Sequence, residues 1–145
     1  MTLEWILWLA SILPQPHADR LCLTTTVYLE ARSQPFDGQV AVAEVALNRL
    51  DSGRYGDNLC GLLLQPRQFA MTLVPQDYAL KNPRAWRKAW RAALRAVAEH
   101  RSPPDQRTRL ALGATHFVAL GVASPDWARG QPLTTIGDHS FYRVR

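Results

Sequence analysis

The stretch Val27–Pro35, VYLEARSQP, combines a helix-like run with an abrupt end. On a helix, positions 23, 26, 27 and 30 share one face, and they are occupied by Leu, Thr, Val and Glu. Glu30 therefore continues a largely apolar stripe, where loss of hydration would raise the pKa of its carboxyl group. Pro35 disfavours helical backbone in the residue before it, so the helix should break there. The stretch predicts a partly buried acid near the end of a helix.

The chain around this stretch is predicted to be mainly helical. Four segments have the apolar spacing of helices, over about 1–14, 20–32, 37–50 and 82–100. Asp19 is the expected N-cap of the second segment, and Asn82 followed by Pro83 is a typical helix start. Trp86 and Trp90 fall on one face of the last helix with apolar neighbours, which predicts that they pack in the core.

The C-terminal third of the chain has the composition of strands. ATHFVAL at 114–120, LTTIG at 133–137 and HSFYRV at 139–144 are rich in β-branched and aromatic residues and are separated by turn-forming sequence. The predicted fold class is α+β, with a mainly helical lobe and a small C-terminal antiparallel sheet. The chain has no internal repeat or long linker, so residues 1–145 are expected to form one domain.

The composition is that of a globular protein, with 47% apolar and 20% charged residues. The net charge of +5 comes from one segment, because residues 81–101 hold seven basic side chains and a single acid. Such a basic helix predicts contact with an anionic surface such as a cell envelope. Nucleic acid is the alternative partner, but the tryptophans of this helix are in core phase rather than exposed for stacking, so no nucleic acid is expected.

The N-terminal segment is apolar but short. The uninterrupted run from Trp5 to Leu13 is shorter than the ~20 residues that cross a bilayer. It has no basic n-region or A-x-A cleavage site, so no secretory signal is recognised. The prediction is an amphipathic helix packed on the domain, and a membrane-surface anchor is the alternative. The apolar positions that suggest the packed face are Leu3, Leu7, Ala10 and Ile12.

The cysteines and histidines do not form a recognisable metal or nucleophile motif. Cys22 and Cys60 are expected to be two small buried thiols, with a disulfide between them as the alternative. His116 and His139 belong to segments that are expected to pair as neighbouring strands. A zinc site would need a third or fourth ligand, and none is obvious. The sequence therefore predicts no metal and no cofactor.

Several motifs in order give a more specific indication. The chain reads Y-x-E-A-R at 28–32 and P-x-x-G-Q-x-A-V-A-x-V-x-x-N-R at 35–49. Further blocks are QPRQF at 65–69, GATHF at 113–117, PDW at 125–127 and IGDHSFY at 136–142. Over about 20–143 the chain resembles the SleB-like cell wall hydrolases, which include spore cortex-lytic enzymes.

The resemblance implies a lysozyme-like fold and a peptidoglycan-cleaving activity. Glu30 would be the general acid that cuts the MurNAc–GlcNAc β-1,4 bond, with 1,6-anhydro-MurNAc as the product of a lytic transglycosylase. No second carboxylate is predicted close to Glu30, which suits an attack by the substrate's own hydroxyl group. The alternative is a non-catalytic peptidoglycan-binding domain of the same fold.

The other matched residues are candidates for substrate contacts, because aromatic faces and a few polar groups suit saccharides. They are Gln68 and Phe69 on one side of a groove, and His116, Trp127, His139 and Tyr142 on the opposite wall. For Phe69, a place in the core is the structural alternative. Asn48 and Arg49 are expected to anchor the third helix.

One position departs from the family pattern. The family commonly reads E-A-R-G-E-P, whereas this chain has Ser33 and Gln34 before Pro35. The second acid is therefore missing, which puts in doubt any mechanism that needs a charge there. The expected context is a monomeric phage or prophage endolysin, made in the cytoplasm, released through a holin and acting on the cell wall or in the periplasm.

Overall fold

The helical spacing of the first hundred residues produces five α-helices in a computed structural model that describes all 145 residues. They are α1 (Leu3–Ile12), α2 (Gln15–Ala31), α3 (Phe36–Ser52), α4 (Leu59–Leu63) and α5 (Pro83–His100). A three-stranded sheet follows, formed by β1 (His116–Val118), β2 (Thr134–Ile136) and β3 (His139–Tyr142). The predicted α+β class, with helices first and a small antiparallel sheet last, is confirmed.

Helices α2, α3 and α5 pack against one another and form most of the core. The buried face of α5 consists of small side chains, which are Ala85, Ala89, Ala92, Ala93 and Ala96. Trp90 is 38% exposed and Trp86 is only partly buried. The predicted core position is therefore wrong for Trp90, whereas Trp86 packs against the edge of the core. The alanine face lets the neighbouring helices approach closely, and the larger side chains lie at its edge.

The helix ends differ from prediction at one cap and agree at another. α2 begins at Gln15, five residues early, so Asp19 lies inside the helix and does not cap it. Its Oδ1 instead accepts a hydrogen bond of 3.1 Å from the backbone N–H of Cys60, near the start of α4. The Asn82 side chain caps α5 by accepting from the N–H of Ala85 at 3.0 Å, as predicted.

A disulfide joins Cys22 on α2 to Cys60 on α4, with the two Cα atoms 5.4 Å apart. The expectation of two free buried thiols is therefore wrong, and the alternative is correct. The two residues are distant in sequence, and only the packing of α4 against α2 brings their side chains together. The bridge fastens the segment between α3 and α5 to the helix that carries Glu30.

The sheet has the strand order β1-β3-β2, and both pairings are antiparallel. His116 lies opposite Tyr142, and Phe117 opposite Phe141, so the two histidine-containing segments pair as the sequence predicted. Side chains alternate between the two faces of a strand. Phe117, His139 and Phe141 therefore share one face, and His116 and Tyr142 share the other.

α1 packs on α2 through Leu3 and Ile6, which are fully buried. The loop before α5 holds its start, because the N–H of Leu3 donates to Tyr78 O at 2.9 Å and the N–H of Leu80 donates to Met1 O at 2.8 Å. A helix packed on the domain is confirmed, but the assignment of Ile12 to the packed face is wrong. Ile12 is exposed. None of the helices combines the length and apolar character of a membrane span.

Candidate active site

Glu30 lies in the last turn of α2 and is half-buried. Its Oε1 accepts a hydrogen bond of 2.7 Å from the backbone N–H of Ala70, which begins a short 3-10 turn after the QPRQF segment. Its other oxygen, Oε2, has no hydrogen-bonding partner in the protein and is not among the fully buried unpaired atoms. One oxygen therefore fixes the carboxyl group, and the other is free to carry a proton.

Three influences set the acidity of Glu30. Burial raises the pKa of its carboxyl group above 4.5 because the charged form loses hydration. The Ala70 N–H and the nearby Arg49 charge act in the opposite direction, but they do not cancel the effect of burial. No other carboxylate contributes to the shift. A carboxyl group with a raised pKa retains its proton closer to neutral pH, as a general acid requires.

Arg49, near the end of α3, is the buried charge of this site. Its Nε donates to Thr115 O at 2.6 Å, and its Nη1 donates to Gln68 Oε1 at 3.1 Å. Its guanidinium carbon also lies 4.8 Å from the centre of the Phe69 ring. Arg49 forms no ion pair with Glu30 and influences the acid through space.

Arg49 was predicted to anchor the third helix, and its electrostatic effect on Glu30 was missed. Anchoring is correct, because Asn48 Nδ2 also donates to the neighbouring carbonyl of Ala114 at 2.9 Å. The available sequence signal was its position one helical turn beyond Val45 and two turns beyond Val42, which places a cation on a buried face. The participation of the Ala70 N–H had no sequence signal, because any residue other than proline provides it.

Two of the residues predicted to line the groove wall opposite Gln68 and Phe69 form an accessible pair. His116 and Trp127 are both half-buried, with their ring centres 4.8 Å apart. Tyr142 packs against Trp127 at 5.8 Å but is itself buried. Burial and the Arg49 charge lower the pKa of His116 to about 4, so this ring is neutral at neutral pH.

The structure corrects the sugar-contacting role for the buried members of the predicted set. Phe69 is 1% exposed and lies in the core beneath Arg49, as the structural alternative held. His139 is buried on the opposite face of the sheet from His116, with its ring 5.2 Å from Phe117. With Tyr142 they pack behind the surface and do not present a free ring face. Gln68, His116 and Trp127 keep exposed area, and their contact with substrate stays a prediction.

Gln34, the position that departs from the family pattern, forms a paired contact with the β2–β3 turn. Its Nε2 donates to Asp138 Oδ2 at 3.0 Å, and its Oε1 accepts from the Asp138 N–H at 2.9 Å. The backbone carbonyl of Gln34 also accepts a hydrogen bond of 2.8 Å from Lys88 Nζ on α5. Both the donor and the acceptor of the buried side-chain amide thus bond to Asp138, and Gln34 joins the segment after α2 to the sheet.

Replacement of this amide by an acid should weaken the fold. Gln34→Glu keeps the acceptor but removes the donor and sets two carboxylates against each other. We expect the free energy of unfolding to fall by about 1–3 kcal/mol at pH 7, the cost of an unmatched buried polar group. Chemical denaturation measures it, and the loss should shrink in acid as the carboxyl groups take up protons. Gln34→Glu/Asp138→Asn, which exchanges the two roles, should recover the stability. An unchanged Gln34→Glu protein at pH 7 would contradict this role.

The best-formed polar cavity, of about 310 Å³, does not include Glu30. It lies between α3, α5 and the segment before β1, and many of its polar side chains pair with one another. Asp51 contacts His100 at 2.9 Å and Arg107 at 3.4 Å. These pairings satisfy much of the polar lining, so the half-buried Glu30 remains the candidate site. No group of three His, Cys, Asp or Glu side chains in the protein could hold a metal ion.

A helical lobe with a small sheet and a half-buried, hydrogen-bonded acid defines a lysozyme-like α+β domain. The chain belongs to the cell wall hydrolase family, whose model matches residues 33–142. The match begins three residues after Glu30. The predicted membership of the SleB-like cell wall hydrolases is confirmed.

Individual relatives agree with this assignment. The chain is 33% identical over 120 residues to a spore cortex-lytic enzyme of Halalkalibacterium halodurans, covering 82% of this chain and 33% of the relative. It is 31% identical over 120 residues to the spore cortex-lytic enzyme of Bacillus subtilis, covering 82% of this chain and 35% of the relative. The chain thus spans about a third of the length of these curated relatives.

Solved structures support the fold. The catalytic domain of the germination-specific lytic transglycosylase SleB from Bacillus anthracis matches with a TM-score of 0.68 at 29% identity, over 86% of this chain and 93% of that one. The SleB catalytic domain from Bacillus cereus matches with a TM-score of 0.67 at 30% identity, over 86% and 89%. The predicted lysozyme-like fold is confirmed.

Proposed function

We propose that this protein cleaves peptidoglycan glycan strands at the MurNAc–GlcNAc β-1,4 bond, with Glu30 as the general acid. The observation that carries the proposal is the arrangement of its carboxyl group, with Oε1 fixed by the Ala70 N–H, Oε2 free and the pKa raised by burial. The similarity to a spore cortex-lytic enzyme and to the catalytic domain of a lytic transglycosylase supports the same chemistry.

The reaction that suits a single acid is a lytic transglycosylation. Glu30 gives its proton to the glycosidic oxygen, the bond from that oxygen to C1 of MurNAc breaks, and positive charge develops at C1. The C6 hydroxyl oxygen of the same sugar bonds to C1, and its proton returns to the Glu30 carboxylate. The product is a 1,6-anhydro-MurNAc end. Hydrolytic glycosidases use a second carboxylate, whereas the hydrogen-bonding partner of the Glu30 carboxyl group here is the Ala70 N–H.

Other acids near the sequence motifs have different partners. Glu44 accepts hydrogen bonds from the N–H groups of Leu110 and Ala111 at 3.2 and 3.1 Å. Asp138 is paired with Gln34 at 3.0 Å. Since Gln34 has this structural function, its replacement of an acid does not remove a partner of Glu30. The argument for a non-catalytic glycan-binding domain is weakened accordingly.

The proposal includes residues 1–145 as one catalytic domain and an endolysin context, in which the protein reaches the wall or the periplasm after release. The basic residues of α5 would assist contact with an anionic envelope. Lys81, Arg84, Arg87 and Arg91 are exposed and have no carboxylate partner within ion-pair distance.

Mass spectrometry of digested peptidoglycan tests the reaction. We expect muropeptides with anhydro-MurNAc ends, which are lighter by one water than reducing ends, and none of them in a digest with Glu30→Gln. Reducing MurNAc ends would contradict transglycosylation and indicate a muramidase. Binding to insoluble peptidoglycan with no glycan product from the wild-type protein would instead identify a non-catalytic binding domain.

A further inference from the structure

The exposed face of α1 is a continuous apolar stripe. Met1 lies just before α1, beside Trp5 and Trp8. Trp5, Trp8 and Ile12 follow one another at intervals of three and four residues, which is the spacing of one helix face. The exposures of Met1, Trp5, Trp8 and Ile12 are 59%, 61%, 55% and 58%. The Trp5 and Trp8 rings meet edge to face, with their centres 5.6 Å apart.

The opposite face of α1 is apolar as well. Leu3 and Ile6 are fully buried against α2, so packing on the domain uses only that face. A helix that is apolar on all sides is normally covered on all sides. A contiguous apolar patch left in water usually marks an interaction surface. The packing of α1 therefore covers its buried and partly buried apolar residues and leaves the tryptophan stripe without a partner in the domain.

We infer that this stripe docks the protein on the surface of an anionic lipid bilayer. Tryptophan is suited to the boundary between headgroups and acyl chains, because its ring is apolar and its indole N–H can still bond to water or headgroups. A helix that lies in this boundary presents tryptophan and aliphatic side chains to the lipid, beside basic residues that face the headgroups.

The required basic residues lie at one end of the stripe. The N–H of Leu80 donates to Met1 O, and Thr2 forms a β-bridge with Ala79, so the next residues of the chain stand beside the start of α1. These are Lys81 and, in the first turn of α5, Arg84, both exposed and without an ion pair. Glu4 is the only charged residue on α1. Asp77, in the loop that hydrogen-bonds to the start of α1, is a second nearby acid, but the seven basic side chains of residues 81–101 outnumber both acids. This excess of positive charge complements an anionic surface.

Two shallow surface pockets lie beside the tryptophans, and the residues that line them indicate a lipid ligand rather than a glycan. One is formed by Met1, Trp5, Trp8 and Leu9, and the other by Glu4, Trp5 and Trp8. A saccharide site combines an aromatic face with several convergent polar groups. Here a single carboxylate is the only polar side chain besides the indoles, which favours an apolar and cationic contact with lipid.

Co-sedimentation with vesicles of phosphatidylglycerol and phosphatidylcholine tests the inference. We expect the wild-type protein to bind. Trp5→Ala/Trp8→Ala should bind at least about tenfold more weakly, because it lacks the two large apolar side chains that transfer from water into the bilayer on binding. Trp90→Ala, which removes an exposed tryptophan outside the stripe, should bind like wild type. Lys81→Glu/Arg84→Glu and vesicles of phosphatidylcholine alone should each reduce binding.

Three results would overturn the inference. The first is equal vesicle binding by the wild type and Trp5→Ala/Trp8→Ala. The second is a wild-type dimer in sedimentation velocity that becomes a monomer in the double variant. The third is a double variant that loses binding to purified peptidoglycan but still binds vesicles. The second would identify another copy of the chain as the occupant, and the third a glycan. Cleavage of soluble glycan fragments by Trp5→Ala/Trp8→Ala should match wild type, which keeps this test separate from the proposed activity.

Discussion

Glu30→Gln should reduce peptidoglycan cleavage by about 10²–10⁴-fold, the contribution that a positioned general acid typically makes. The amide has the shape of the acid and can still accept the hydrogen bond from the Ala70 N–H, but it has no acidic proton to give to the leaving oxygen. Release of soluble muropeptides from purified peptidoglycan measures the effect. Retained activity would exclude Glu30 as the acid.

Glu44→Gln is the matched control for this variant. Glu44 is also an acid whose pKa is raised by burial and whose carboxylate accepts backbone hydrogen bonds, but its partners are Leu110 and Ala111. A protein with this change should cleave peptidoglycan at close to the wild-type rate once its folding has been verified. If both variants lost activity equally while remaining folded, the loss would reflect general disturbance of buried acids, and the assignment to Glu30 would fail.

The pH dependence of stability gives an independent check on Glu30. Because its pKa is raised in the folded state, the folded protein binds this proton more tightly than the unfolded chain does. The stabilising contribution is complete below the unfolded value of 4.5 and is lost as the pH rises through the folded value. The stability of the wild type relative to Glu30→Gln should therefore fall as the pH rises above 4.5. A difference that stays constant with pH would show that Glu30 is not perturbed by folding.

Removal of the Cys22–Cys60 disulfide should cause the largest loss of stability. The cross-link closes a loop of 38 residues, and the loop-entropy relation gives about 4 kcal/mol for that length. For a chain of this size the loss corresponds to a decrease in Tm on the order of 10 °C. Thermal unfolding of the same protein with and without a thiol reductant measures it without changing any side chain.

Cys22→Ala/Cys60→Ala is the control for the disulfide experiment. It should unfold near the temperature of the reduced wild type and should not respond to the reductant. An unchanged Tm after both thiols have been shown to be free would contradict the prediction. A bridge that contributes this much would favour action in an oxidising compartment, as proposed for an enzyme that reaches the wall or the periplasm.

Local rules were sufficient for most of the secondary structure. The start of α5 followed from Asn82 and Pro83, and the three strands followed from runs of β-branched and aromatic residues. The error at α2 is instructive, because Asp19 is a good N-cap in isolation but is used by the N–H of Cys60 from another segment. Which N–H a carboxylate accepts from depends on tertiary proximity, which local sequence does not contain.

At the candidate site, too, local sequence predicted some features and tertiary packing decided others. The apolar stripe containing Leu23 and Val27 was enough to predict a desolvated acid at Glu30, and the motif order was enough to identify the family. Phe69 and His139 satisfied the same expectations of groove residues as Gln68 and His116, but they are buried. Which face of a strand or turn meets solvent depends on what packs against the other face.

Local sequence was enough to predict most helix and strand segments, the acid on an apolar face and the family membership. These features depend on periodicity and on residues that are close along the chain. The tertiary structure decided the Cys22–Cys60 bridge, the Gln34–Asp138 pair and the position of Arg49. Each of these joins residues far apart in sequence, and the contact exists only once α2, α3 and the sheet have packed. The end of the helix after VYLEA was predicted from the sequence. The hydrogen bonds by which Gln34 joins the helical lobe to the sheet could be identified only from the structure.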